Sequence, residues 1–292
     1  MTTRVLVSGA TGNVGGAAAR SLLERGHAVR ALVRDPEKPG ARALADAGAE
    51  LFRGDFSDRA ACVDAARDMD AVIVVTSPAA GVDLEIELGR AMCESAAKAG
   101  AGHVILSSVA DAQNATGIPH FDSKAAIEAH LQTLGVPWTA VAPVFFYENV
   151  LFPWNVAALR DGEYRQALAP DVSLKMIGLD TIGAFFAHAV ERRQAHAGRH
   201  VDIAADALTG PQVAAALSQA TGRPVRYVAQ DLEEVRDQFE DVAVMYEWFR
   251  DVGFSADIPA LRAAYPELAW TSFADWARSV DWDAALRLGG PS

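Results

Sequence analysis

The chain has 292 residues, is 51% hydrophobic and carries a formal net charge of −12, with 26 lysines and arginines against 38 aspartates and glutamates. That length suits one large domain or a core with a smaller lobe, and it can bury a full core without staples. No run of roughly 18 uninterrupted apolar residues marks a membrane span, no basic stripe marks a nucleic-acid binder, and the first ten residues lack signal-peptide architecture.

The first half alternates short apolar runs with helix-length segments. Strands are expected at Arg4–Ser8, His27–Arg34, Ala49–Phe52, Ala71–Val75, His103–Leu106 and Pro137–Val141, with helices at Gly15–Arg25, Glu85–Ala99 and Ser123–Leu134. Continuous apolar strands separated by helices imply a parallel sheet buried on both faces. Right-handed crossovers then give an α/β doubly wound sheet of the Rossmann type. After Asn149 the pattern loosens, with helices at Thr181–Arg192, Pro211–Thr221, Leu232–Asp251 and Phe273–Val280 and short strands near Val201–Ile203 and Val225–Val228. The division expected is residues 1–150 as a nucleotide-binding domain and 151–292 as a smaller C-terminal α/β substrate or partner lobe, mostly helical and interleaved with the core. Aromatics thicken in that lobe at Tyr246, Trp248, Phe249, Phe254, Tyr265, Trp270, Phe273 and Trp276, and packing is their ordinary role. Only the final Gly289-Gly290-Pro291-Ser292 looks frayed. Cys62 and Cys93 form no CxxC pair and read as buried small residues in a reducing cytoplasm.

The first strand leads through Gly9-Ala10-Thr11-Gly12-Asn13-Val14-Gly15 into a helix. Glycines there permit a tight turn, close approach of the backbone to a pyrophosphate, and close helix–strand packing. The helix N-terminus adds N–H donors and a positive dipole end. The second strand ends Leu32-Val33-Arg34, followed by Asp35-Pro36-Glu37-Lys38. An arginine at this place accommodates the 2′-phosphate of NADP, while an acid would bind the ribose hydroxyl of NAD. Arg34 with Lys38 favours NADP(H); Asp35 in the NAD role is the alternative.

Pro119-His120-Phe121-Asp122-Ser123-Lys124 opens another helix, and His120 and Lys124 share one face. Lys124 could instead be a surface lysine paired with Glu128 at i+4, and His120 a bystander at a helix start. Ser107 and Ser108 follow the fifth strand as catalytic hydroxyls or as simple caps. His196 and His200 are four apart, but Gly198 interrupts them and no third ligand is evident, so no metal is expected.

The GATGNVGG loop, the RALVRDPEK turn, Gly54-Asp55, and HFDSKAAIEAHL followed by GVPWTAVAPVFFYENVL resemble the NmrA-like family of atypical short-chain dehydrogenases/reductases. The resemblance implies NADP(H) on the Gly9–Gly15 backbone (Gly9, Thr11, Gly12, Asn13, Val14 and Gly15). It places Arg34 and Lys38 on the 2′-phosphate, Asp55 and Phe56 beside the adenine, and Thr76 and Ser77 at the end of the fourth strand. Lys124 would bond the nicotinamide ribose, and Phe146, Tyr147, Glu148 and Asn149 would flank the nicotinamide, although aromatic neighbours favour packing for the Tyr147 ring. His120 stands where the wider superfamily has a catalytic tyrosine. Imidazole titrates near neutral pH and can act as a general acid, so Lys124 and His120 are the candidate catalytic pair. Two functions follow. One is an NADPH-dependent reductase of a small hydrophobic conjugated electrophile such as a quinone, imine or enone. The other is a non-catalytic NADP(H) sensor. A protein partner or a homodimer is compatible with either.

Overall fold

A computed structural model describes residues 2–287; the tail expected to fray lies outside them. The elements run β1 (Arg4–Val7), α1 (Asn13–Glu24), β2 (Ala28–Val33), α2 (Pro39–Asp46), β3 (Glu50–Arg53), α3 (Arg59–Ala66), β4 (Ala71–Val74), α4 (Val82–Lys98), β5 (Val104–Ser107), α5 (Pro119–Gln132) and β6 (Trp138–Pro143). There follow β7 (Phe145–Phe146), α6 (Pro153–Arg160), β8 (Glu163–Gln166), β9 (Ser173–Ile177), α7 (Leu179–Glu191), α8 (Arg193–His196) and β10 (Arg199–Ile203). The chain ends with β11 (Asp206–Thr209), α9 (Gly210–Thr221), β12 (Arg226–Ala229), α10 (Leu232–Gln238), α11 (Glu240–Asp251), α12 (Ile258–Ala264), α13 (Phe273–Ser279) and α14 (Trp282–Arg287). No helix among the described residues is long and apolar enough to cross a membrane.

Two compact units result: Met1–Pro143 with Leu179–Asp202, and Val144–Gly178 with Ile203–Ser292. In the first, seven strands form one sheet in the order β10-β6-β5-β4-β1-β2-β3. The pairs from β3 through β6 are parallel. This is the doubly wound order, with its switch between β1 and β4. β1 and β4 bury nearly every side chain because helices cover both faces.

The observed division differs from a boundary at residue 150. It falls after Pro143, and the segment 179–202 returns to the first unit. The return is a matter of packing. A Cβ on Gly183 of α7 would stand 2.5 Å from the Ala17 carbonyl oxygen of α1, so glycine is what lets these helices close together. Local periodicity carries no sign of that pairing.

The second unit contains a three-stranded sheet, β11-β9-β7, and a two-stranded one, β12-β8. Its aromatics pack mainly with one another. Tyr147 meets Phe273 edge-on at 5.2 Å between ring centroids, and Phe249 meets Phe254 at 5.0 Å. The helix expected over Leu232–Asp251 is broken at Phe239, whose backbone is extended at φ −148° and ψ 86°. Arg236 of α10 reaches Glu247 of α11 at 2.6 Å. That bond suits two helices folded on each other, and no glycine or proline marks the corner in the sequence.

Candidate functional site

In the first unit the sequence candidates gather where parallel strands end: Gly9 after β1, Arg34 after β2, Thr76 after β4 and Ser108 after β5. Open α/β sheets bind ligands along this carboxyl edge. The loop after β1 is fixed by sterics. Gly9 has φ +61°, and its Cβ would lie 3.0 Å from the Val75 carbonyl oxygen. A Cβ on Gly15 would lie 2.3 Å from the Gly9 carbonyl oxygen, which forbids any side chain there. The Gly12 N–H donates to the Gly9 carbonyl at 2.9 Å and tightens the turn. Helix α1 then begins at Asn13 without a side-chain cap and without an acid in its first turn. Thr11, Gly12 and Asn13 are exposed, while Val14 and Gly15 are buried. The exposed end presents N–H donors and positive dipole that neither a side-chain cap nor a first-turn acid offsets. Ser8 adds a clip that no motif announced: it accepts from the Val75 N–H at 3.0 Å and donates to the Ile73 carbonyl at 3.2 Å, tying β1 to β4.

Arg34 and Lys38 are exposed. Asp35 uses its carboxylate to accept the Glu37 N–H at 3.0 Å, so it shapes the turn. Asp55 accepts from the Ser57 N–H and hydroxyl at 2.9 and 2.7 Å. Those bonds, with Arg34 nearby, hold its carboxyl below the usual range. Phe56 packs half-buried on the core of this unit, and exposed Ser77 accepts the Ala79 N–H at 3.3 Å.

Lys124 does not pair with Glu128. Its ammonium donates to Glu85 Oε1 at 2.6 Å, to Thr76 Oγ1 at 2.7 Å and to the Thr76 carbonyl at 3.2 Å. Its side chain is 12% exposed and that of Glu85 is fully buried. Glu85 Oε1 also accepts from Thr76 Oγ1 at 2.8 Å, and Oε2 accepts from Ser123 at 2.5 Å. Burial pulls the Lys124 pKa below its ordinary value, and the charge and hydrogen bond of Glu85 oppose that pull. His120 lies half-buried one turn earlier, its ring edge-on to Phe121 at 4.9 Å.

Glu128 belongs to a second buried cluster. It accepts from Ser108 Oγ at 3.3 Å and meets His200 Nδ1 at 2.9 Å, while His200 Nε2 meets Asp202 at 2.8 Å. Desolvation opposes charge on His200, but its two carboxylate partners outweigh it and raise the pKa to about 9. His196 instead packs against His188 and Phe185, and burial, then His188, lowers its pKa to about 4. The two histidines therefore belong to different clusters. Neither Glu85 nor the His200 cluster has a motif. Glu85 carried one faint signal, since it shares the buried stripe of α4 with Gly89, Met92, Cys93 and Ala96.

In the second unit, Phe146 ends β7 and Tyr147 to Asn149 follow it. Tyr147 is fully buried and its hydroxyl donates to the Thr271 carbonyl at 3.2 Å; burial raises its pKa far above the ordinary phenol value. Phe146, Glu148 and Asn149 are half-buried, and the Asn149 carbonyl accepts from Asn155 at 2.7 Å. A surface cavity of about 370 Å³ lies elsewhere, among Arg59 and Asp64 of α3, Arg67 just after it, and Glu94 and Lys98 of α4. Its arginines already pair with Glu94 and Asp64, so it offers little free charge.

A sequence profile described as the NmrA-like family matches residues 1–278. The NAD(P)H azoreductase of Xenophilus azovorans is 32% identical over 232 residues, 80% of this chain and 79% of that protein. The (4-alkanoyl-5-oxo-2,5-dihydrofuran-3-yl)methyl phosphate reductase of Streptomyces griseus is 32% identical over 238 residues, again 80% and 79%. Among solved structures, NmrA, a negative transcriptional regulator in complex with NADP, superposes with TM-score 0.82 at 23% identity over 99% of this chain and 98% of that one. Triphenylmethane reductase of Citrobacter sp. with NADP(H) gives 0.79 at 19% over 98% and 99%. At those identities the structures speak to the fold alone.

Proposed function

The chain belongs to the NmrA-like family, and from that premise we propose that it is an NADPH-dependent reductase of a small hydrophobic conjugated electrophile. The observation that carries the reading is a glycine-gated, uncapped helix N-terminus on the same sheet edge as two exposed cations, Arg34 and Lys38. That set fits a dinucleotide with a 2′-phosphate: backbone donors for the pyrophosphate, a guanidinium fork and an ammonium for the monoester. Asp35 is occupied by its own turn, which favours NADP(H) over NAD.

When bound, the reduced cofactor supplies hydride chemistry. Lys124, held between α4 and the end of β4, orients the ribose. Phe146 to Asn149 take the nicotinamide end on the strength of their sequence motif. His120, half-buried in the first turn of α5, or solvent delivers the proton that balances the hydride. The two relatives at 32% identity act, by their names, as an azoreductase and as the reductase of a dihydrofuranone bearing an alkanoyl group. Both names describe unsaturated, electron-poor groups, which supports a conjugated acceptor here. Cys62 and Cys93 are buried free thiols with pKa values raised to about 11 and about 12, chiefly by desolvation. Unreactive thiols of this kind accord with a cytoplasmic setting.

The test is a titration of NADPH and NADH by fluorescence, with turnover against quinones, imines, enones and azo dyes. NADPH should bind tighter than NADH, and Arg34→Ala should weaken NADPH at least about tenfold while sparing NADH. Equal affinity for the two nucleotides would remove Arg34 from the reading. Tight NADPH binding without turnover across the panel would favour the sensor.

A further inference from the structure

We infer that Glu85 is a positioning residue for cofactor binding: its buried carboxylate keeps Lys124 charged and aims it, with Thr76 and Ser123 completing the mount. The inference rests on the reductase reading, since it deepens the role given there to Lys124.

The geometry is specific. A lysine ammonium has three N–H donors and no acceptor. Two of the three are held tightly, by Glu85 Oε1 at 2.6 Å and Thr76 Oγ1 at 2.7 Å. The third makes only a 3.2 Å contact to the Thr76 carbonyl. That weakest bond is the one a ribose hydroxyl can replace without unseating the side chain. Glu85 is itself fixed from two directions: Oε1 takes the Thr76 hydroxyl and Oε2 takes Ser123 Oγ at 2.5 Å. The mount thus joins α4, α5 and the residue after β4.

The electrostatics point the same way. A buried ammonium is driven towards the neutral amine unless an opposite charge is close. Glu85 is the carboxylate that opposes this for Lys124. The charged groups on neighbouring turns of α5 are engaged elsewhere: Glu128 with His200, and Asp122 with the Thr116 hydroxyl at 3.3 Å. The half-buried His120 ring sits against Phe121. A neutral Lys124 would be a poorer donor to the ribose and would offer the anionic cofactor no charge, so loss of Glu85 should be felt as loss of affinity at high pH.

The experiment is the NADPH dissociation constant, by fluorescence titration, across pH 6 to 10 for wild type, Glu85→Gln, Glu85→Asp, Lys124→Met and the double variant Glu85→Gln/Lys124→Met. Glu85→Gln should move the alkaline loss of affinity about one to three pH units lower, and Glu85→Asp should fall between it and wild type. Lys124→Met should weaken binding at every pH, and adding Glu85→Gln to it should change nothing further. The double variant removes both charges together, so it guards against a single variant that fails to fold. An unshifted alkaline limb in folded Glu85→Gln, or an effect of Glu85→Gln that persists without Lys124, would overturn the role of Glu85 and leave the reductase reading standing. Wild type that does not bind NADPH would overturn both.

Discussion

Helix α5 carries two buried charges one turn apart, and the chain treats them differently. Lys124 faces a single carboxylate, Glu85, and keeps one weakly held donor. Glu128 faces an imidazole that is clamped on its other side by Asp202, and the Asp111 N–H donates to Asp202 at 3.2 Å. The first arrangement leaves a hydrogen bond to exchange; in the second, both imidazole nitrogens are taken. A buried ion pair is weak evidence for stability by itself, but breaking one strands a charge in low dielectric. On the proposed function, the Lys124 cluster serves a ligand and the His200 cluster serves the fold.

The largest effect that would sharpen this contrast is His200→Ala. It strands two carboxylates, so stability should fall by about 3–5 kcal/mol, read as a lower denaturant midpoint. The NADPH affinity of the folded protein should stay within about twofold. A large affinity change with unchanged stability would reverse the assignment of the two clusters.

Next comes pH. His200 has a folded pKa of about 9 against an ordinary 6.5. Its contribution is therefore complete below pH 6.5 and disappears as pH rises through 9. The loss amounts to about 3 kcal/mol. Lys124 acts in the opposite sense: its folded pKa lies below its ordinary 10.5, so stability from that site rises with pH between the two values. Denaturant unfolding at pH steps should show a fall between 6.5 and 9 that vanishes in His200→Gln. A fall that survives in the variant belongs to another group.

The smallest effects come from the two serines. Ser108→Ala and Ser123→Ala each remove one donor to a buried carboxylate, at a cost of about 1–3 kcal/mol. Ser123→Ala should also weaken NADPH binding, whereas Ser108→Ala should lower only the melting temperature. If both variants weaken the cofactor, the clusters are coupled through α5 and the contrast fails.

Local chemistry made much of this molecule legible. The Gly9–Gly15 loop, the Arg34 turn and the order of apolar strands each depend on residues within a few positions of one another, so sterics and period expose them in one dimension. From that, the doubly wound sheet and the family resemblance follow. The partners of the charges were not legible. Lys124 meets Glu85 across 39 residues, and Glu128 meets His200 across 72. The sequence offered Glu128 to Lys124 at helical spacing, and the fold turned Glu128 towards β10 and the loop after β5 instead. The return of residues 179–202 to the first unit is of the same kind: it is a packing of α7, with Phe185, Phe186 and Val190 buried and Gly183 close against the Ala17 carbonyl of α1. Local residues were enough for the loop, for β1 to β6 and for the class of ligand they suit, but not for β7, β8, β9 and β11 of the second unit. Tertiary structure alone decided which buried acid meets which buried base, because desolvation forces each charge to an opposite one nearby in space, whatever its distance along the chain.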